Sequence, residues 1–146
     1  MFKNLIRTKA DISVCLLRVM LGVIFFPHGA QKALGWFGGY GFKATMSHFT
    51  ENMHIPAIFA LLAILSEFLG SIALIFGFLT RLAAFGIASV MVVAISMVHA
   101  HNGFFMNWSG TQKGEGIEYH LLVLAIAVAL MIKGAGSFSI DRKISK

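Results

Sequence analysis

The chain has 146 residues, of which 58% are hydrophobic and only 12% charged, with a net charge of +6 and a mean hydropathy of +0.81. A soluble domain carries roughly 45–50% apolar and about 25% charged residues, so this balance excludes a disordered or collagen-like chain and argues against a soluble globule. The length suits one small domain, 1–146, and is too short for a transporter built from two multi-helix halves.

In chain order, Lys3, Arg7 and Lys9 precede a first apolar run from Ile12 to Gln31, broken by Arg18. A hydrocarbon core about 30 Å thick needs roughly 20 helical residues, so the run predicts a membrane span over 12–31. A cleaved signal peptide is the alternative, but Pro27-His28-Gly29-Ala30 is a poor small-x-small cleavage site. Cys15 is the single cysteine, which leaves no intrachain disulfide and no Cys-x-x-Cys pair. The flexible, aromatic stretch Gly35-Trp36-Phe37-Gly38-Gly39-Tyr40-Gly41 suits a membrane interface. Phe42, Met46, Phe49 and Met53 then form one apolar stripe of a short amphipathic helix, expected to lie on the outer membrane surface.

The second run, 55–79, is broken by Glu67, and Ser66, Gly70, Ala73 and Gly77 share a face suited to close helix packing. Gly77-Phe78-Leu79-Thr80-Arg81 is so short that the next helix must return antiparallel, with Thr80 as a candidate cap. The third span, 82–101, begins a stretch free of Lys, Arg, Asp and Glu between Arg81 and Lys113. Asn102-Gly103-Phe104-Phe105-Met106-Asn107-Trp108 repeats the interfacial chemistry. Tyr119 to Ile132 holds only 14 uncharged residues, so a fourth span must draw in an outer turn, giving 115–134 with Glu118 and His120 inside. The fold expected is an all-α, four-helix transmembrane bundle with a short interfacial helix in the first outer loop. A soluble core is the competing reading, and it fails because nothing remains to cover that core with polar surface.

Lys3, Arg7, Lys9, Arg81, Lys133, Arg142, Lys143 and Lys146 fall on one side; Lys32, Lys43 and Lys113 fall on the other. The positive-inside rule then puts both termini in the cytoplasm. The dispersed basic residues flank apolar helices and give no nucleic-acid footprint.

Glu67 lies at mid-membrane, where an ionised carboxylate is costly unless protonated or paired. Arg18 is the partner suggested by charge. The two either fix helix register or supply a catalytic, proton-active or ligand-binding pair; a Glu67 facing an oligomer interface is the third reading. The six histidines all fall in outer loops or outer helix ends. His28 and Lys32 share one helix face, while His99, Glu118 and His120 close the third helix and open the fourth. Such a set could shuttle protons or meet an anionic or quinone head group, or be polar residues at a wet interface. The spacing matches no zinc motif, so no metal site is predicted, and haem held by two of these histidines is a lesser alternative.

The ordered series resembles the DoxX family of small four-helix membrane proteins, related to DoxD-type subunits. The residues that carry it are Arg18 with Gly22, His28-Gly29-x-x-Lys32, Glu67-Phe68-x-Gly70, Gly77-Phe78-Leu79-Thr80-Arg81, His99 to Phe105, Glu118, and Gly134-x-Gly136-x-x-Ser139-Ile140-Asp141. His101 and His120 depart from the family pattern. The resemblance implies a membrane subunit of a quinone-interacting oxidoreductase, linked to thiosulfate or thiol oxidation or oxidative-stress defence. Its electrons would come from a soluble or membrane partner or a bound cofactor. A non-catalytic scaffold or assembly factor and a small homo-oligomeric transporter are the alternatives.

Overall fold

Asp11 sets the start of the first long helix. Its carboxylate accepts from the backbone N–H groups of Ser13 (2.9 Å) and Val14 (3.2 Å), and the helix α2 then runs Ile12–Leu34. It stops where Gly35 takes a left-handed φ of 75°, which a side chain would resist. The computed structural model describes residues 2–145, and every regular element among them is helical. A short α1 (Phe2–Ile6) precedes α2. Then come α3 (Gly41–Ser47), which continues as a π turn at His48–Asn52, and α4 (Ala57–Phe76). α5 (Thr80–Ala94) runs on through a second π turn, Ile95–His99, and a 3-10 turn, Ala100–Asn102. α6 (Glu118–Lys133) and α7 (Ile140–Ile144) complete the chain.

Three stretches are long and apolar enough to cross a membrane: Ile12–Leu34, Ala57–Phe76 and Thr80–Asn102. The fourth expected span is shorter. α6 has 16 residues, about 24 Å of rise, and opens at Glu118 rather than at 115. The reason is local. Gly116 packs directly on the backbone of Phe104 and Phe105. Ile117 N–H and Glu118 N–H donate to Phe104 O at 3.0 and 2.9 Å, so this turn is tied to the preceding loop.

The helices pack in sequence, α2 on α4, α4 on α5 and α5 on α6, while α6 returns to α2 over a much smaller contact. Small residues set the close approaches. A Cβ at Gly29 would lie 2.5 Å from the backbone N and Cα of Phe68, and one at Gly86 would lie 2.7 Å from the Ser66 hydroxyl. The core joins Leu21 and Phe25 of α2, Leu74 of α4, Ala84 and Ile87 of α5, and Ala127 and Leu130 of α6. Leu16, Phe59, Leu69, Phe85, Val92 and Leu122 face outward and are exposed, as a lipid-facing surface requires.

One end of the bundle carries α1 and α7 and is called the termini end; the other is the far end. At the termini end two charged side chains cap helices. Arg81 Nε donates to Met131 O at 2.8 Å and Nη2 to Ile132 O at 3.1 Å, closing α6, while Nη1 reaches Leu5 O and Arg7 O near α1. Asp141 replaces the Thr80 cap expected from sequence. Its carboxylate accepts from Leu79 N–H at 2.8 Å and Thr80 N–H at 2.9 Å, fixing Leu79 at a left-handed φ of 48°. Thr80 starts the helix from inside and its hydroxyl is buried. Asp141→Ala removes both charge-assisted bonds and should cost about 2–3 kcal/mol, read as a lower melting temperature in detergent. An unchanged melting temperature would show that the carboxylate does not cap α5.

Candidate functional site

The site begins where α2 and α4 touch most closely. Gly29 has no side chain, so α2 lies on the backbone of Glu67 and Phe68. Three residues further on, Lys32 turns toward Glu67. Its Nζ sits 2.6 Å from Glu67 Oε2, with side-chain exposures of 27% for the lysine and 6% for the carboxylate. Lys32 Nζ also donates to His28 O at 3.4 Å, which anchors the ammonium on its own helix. His28 and Tyr119 both lie within electrostatic reach of Glu67. The pair is asymmetric: the acid is buried inside the bundle, whereas the base keeps one side open.

Lys32 also lines a cleft of about 480 Å³ at the far end. The end of α2, the glycine-rich loop and α3 with its π turn wall it, through Gln31, Lys32, Tyr40, Thr45, His48 and Phe49. Gln31 Nε2 donates to Phe37 O at 3.1 Å, holding the loop against α2.

Arg18 lies elsewhere. The Arg18–Glu67 pair suggested by charge does not form. Arg18 is 1% exposed and its guanidinium is caged by backbone carbonyls at the termini end. Nη1 donates to Leu74 O, and to Ile75 O at 2.7 Å. Nε donates to Ala135 O at 2.9 Å, and Nη2 to Phe138 O at 3.1 Å and Ser137 O at 3.4 Å. These carbonyls belong to the C-terminal turn of α4, where Leu74 O also accepts from Gly77 N–H at 3.2 Å, and to the segment leading into α7.

The remaining expected residues form a second group at the far end. The His99 and His120 rings are 4.1 Å apart. His99 Nδ1 donates to Glu115 O at 2.9 Å, which fixes its tautomer. Glu118 Oε1 accepts from Met106 N–H at 2.8 Å and from Trp108 Nε1 at 3.3 Å. Glu115 does the same for Asn107 N–H at 2.7 Å. Glu118 therefore pins the long loop between α5 and α6. No group of three or more His, Cys, Asp or Glu is placed to hold a metal ion among the described residues.

Tyr119 joins the two groups and was not singled out from sequence. Its ring lies 5.6 Å from that of His120, its charge environment includes Glu67, and its hydroxyl is buried without a hydrogen-bond partner. Its position between Glu118 and His120, at the start of a short apolar run, was the available signal. Tyr119 also closes one end of an apolar groove of about 400 Å³ between α2 and α6, floored by Leu17, Met20, Ile24, Leu122 and Ile126. The groove occupies the loose α2–α6 seam.

A helical bundle with an apolar exterior and a buried acid–base pair defines a small integral membrane protein. The DoxX family profile matches residues 13–100, and the chain belongs to that family. It is 30% identical to “Inner membrane protein YqjF” of Escherichia coli K12, over 93% of this chain and 95% of the relative. It is 26% identical to “Putative oxidoreductase CatD” of Bacillus subtilis, over 93% of this chain and 90% of that protein. An uncharacterized protein of Haemophilus influenzae is 31% identical over 94% and 86% of the two chains. No solved structure matches.

Proposed function

We propose that this chain is the membrane subunit of a quinone-interacting oxidoreductase in the bacterial cytoplasmic membrane. In this reading α6 crosses as a fourth span, both termini are cytoplasmic and the far end faces outward. The observation that carries it is Tyr119, which lines an apolar groove between α2 and α6 and whose hydroxyl is buried without a hydrogen-bond partner. A quinone is an amphiphile whose carbonyls accept hydrogen bonds and whose tail is isoprenoid. The groove suits the tail, and Tyr119 O–H is a donor for a head-group carbonyl. Quinone reduction consumes protons as well as electrons. Glu67, within electrostatic reach of Tyr119 and paired with Lys32, is able to hold protons, and His28, His99 and His120 extend the set of such groups. The electrons must come from a soluble or membrane partner of thiosulfate, thiol or oxidative-stress chemistry, because one cysteine makes no intrachain dithiol. The CatD relative's name points the same way.

The test is purification from native membranes in mild detergent, followed by extraction of bound quinone and identification of any co-purifying protein. Wild-type protein should carry quinone, and Tyr119→Phe should carry several-fold less while folding normally. Protein that is free of quinone in both forms would refute the reading and favour a non-catalytic scaffold.

A further inference from the structure

The cleft at the far end does not belong to the apolar groove. Lys32 lines the cleft and Glu67 does not, its walls are polar as well as aromatic, and it has the volume of a small-molecule site. Lys32 is the formally charged residue among those that line it. Tyr40 and Phe49 offer apolar walls, and Gln31, Thr45 and His48 offer polar ones. His48 opens a π turn, a distortion often found at functional sites. The same lysine therefore stands at two places: its ammonium is held by a buried carboxylate, and its side chain forms part of the wall of an open cleft.

We infer that this cleft binds a small organic anion on Lys32, and that binding is coupled to uptake of about one proton by Glu67. An anion that approaches from the cleft competes with Glu67 for the one ammonium. A lysine has three N–H donors but a single charge, and it cannot neutralise two anions. Glu67 is almost fully buried, so the carboxylate released from Lys32 would be a buried charge without its ion-pair partner. A proton takes that place: the carboxylate gains H⁺ from solvent, the anion keeps its charge on Lys32, and no covalent bond to the ligand forms or breaks. The other titratable groups facing Glu67 are His28 from α2 and Tyr119 from α6, with His48 across the cleft. α5 adds none, since no Lys, Arg, Asp, Glu or His occurs between Arg81 and His99. The ligand class follows from the walls: a carboxylate or sulfonate head for Lys32, and an apolar or aromatic body for Tyr40 and Phe49. The inference does not rest on the quinone reading, because it needs the cleft and not the apolar groove, which shares no lining residue with it.

The experiment is calorimetric titration of benzoate into the full-length protein in maltoside micelles, stripped of quinone. It uses two cationic buffers of different ionisation enthalpy, with benzamide as the neutral isostere. Benzoate should bind with uptake of about one proton, and its affinity should fall about tenfold per pH unit as pH rises. Benzamide should bind at least tenfold more weakly. Glu67→Gln, with His28 retained, should bind benzoate without proton uptake and with little pH dependence. Lys32→Met should lose binding, and Thr45→Val, away from the ion pair, should weaken it if Lys32→Met does not fold. Equal affinity for benzamide, or benzoate binding to wild type without proton uptake, would overturn the inference. Quinone content is measured on separate samples, so failure here leaves the quinone result standing and the reverse also holds.

Discussion

Arg18→Ala should destabilise the protein by about 3–5 kcal/mol, with little folded material recovered from membranes. The guanidinium satisfies carbonyls at Leu74, Ile75, Ala135, Ser137 and Phe138. A buried acceptor left without a donor costs about 1–3 kcal/mol, and bonds to a charged donor are the stronger ones. Some acceptors would find water at the termini end, so the net loss is smaller than the sum. Arg18→Lys should recover only part of the stability, because a lysine presents three donors from one point and lacks the planar fork that reaches several segments at once. The expected order of melting temperatures in detergent is wild type, Arg18→Lys, Arg18→Ala. The same cage holds residues 134–138 against α4, so the alanine variant should also become sensitive to protease near α7. A variant that melts like wild type and stays resistant would show that Arg18 is free for other work. On the geometry we read Arg18 as a positioning residue, since its donors are spent on backbone.

Which features were legible in the sequence follows from where the physics is local. Hydropathy and helix rise are properties of one segment, so the runs at 12, 55 and 82 map onto long helices beginning at Ile12, Ala57 and Thr80. Glu67 stood out because a single charge in a long apolar run needs a partner wherever the run packs. The identity of that partner was not local. Lys32 lies one residue past the expected span over 12–31, yet α2 extends to Leu34 and Gly29 brings it against α4, which delivers the ammonium to Glu67. Arg18 misled for the matching reason. Its acceptors are backbone carbonyls, which are invisible in a sequence, and three of them lie more than a hundred residues away on a segment that folds back. The far-end set His28, Lys32, His99, Glu118 and His120 divides in two because the loop after α5 consumes Glu118 and Glu115 as backbone acceptors. Tyr119 was passed over because a tyrosine at a helix end is ordinary until its hydroxyl is found buried with nothing to donate to.

Lys32→Met should destabilise the protein by about 2–4 kcal/mol, and Lys32→Met combined with Glu67→Leu should restore most of that loss. Removing the cation alone leaves Glu67 buried without a counter-charge, and breaking a buried pair in this way costs about 3–5 kcal/mol. The lysine is 27% exposed, so solvent softens the penalty and the lower range applies. Glu67→Gln is the gentler change: it removes the charge while keeping the shape and two hydrogen-bonding ends, and Lys32 can turn toward the cleft and water. Its cost should be about 1 kcal/mol. Replacing both partners with apolar side chains removes the desolvation problem altogether, which is why the double variant should recover. The asymmetry between the two single variants is what bears on function. A pair retained for stability alone gains nothing over its apolar replacement, and a stable Lys32→Met/Glu67→Leu protein that no longer carries quinone, where wild type does, would tie the pair to the proposed function. A double variant that stays as unstable as Lys32→Met would instead make the ion pair a structural necessity of the α2–α4 contact.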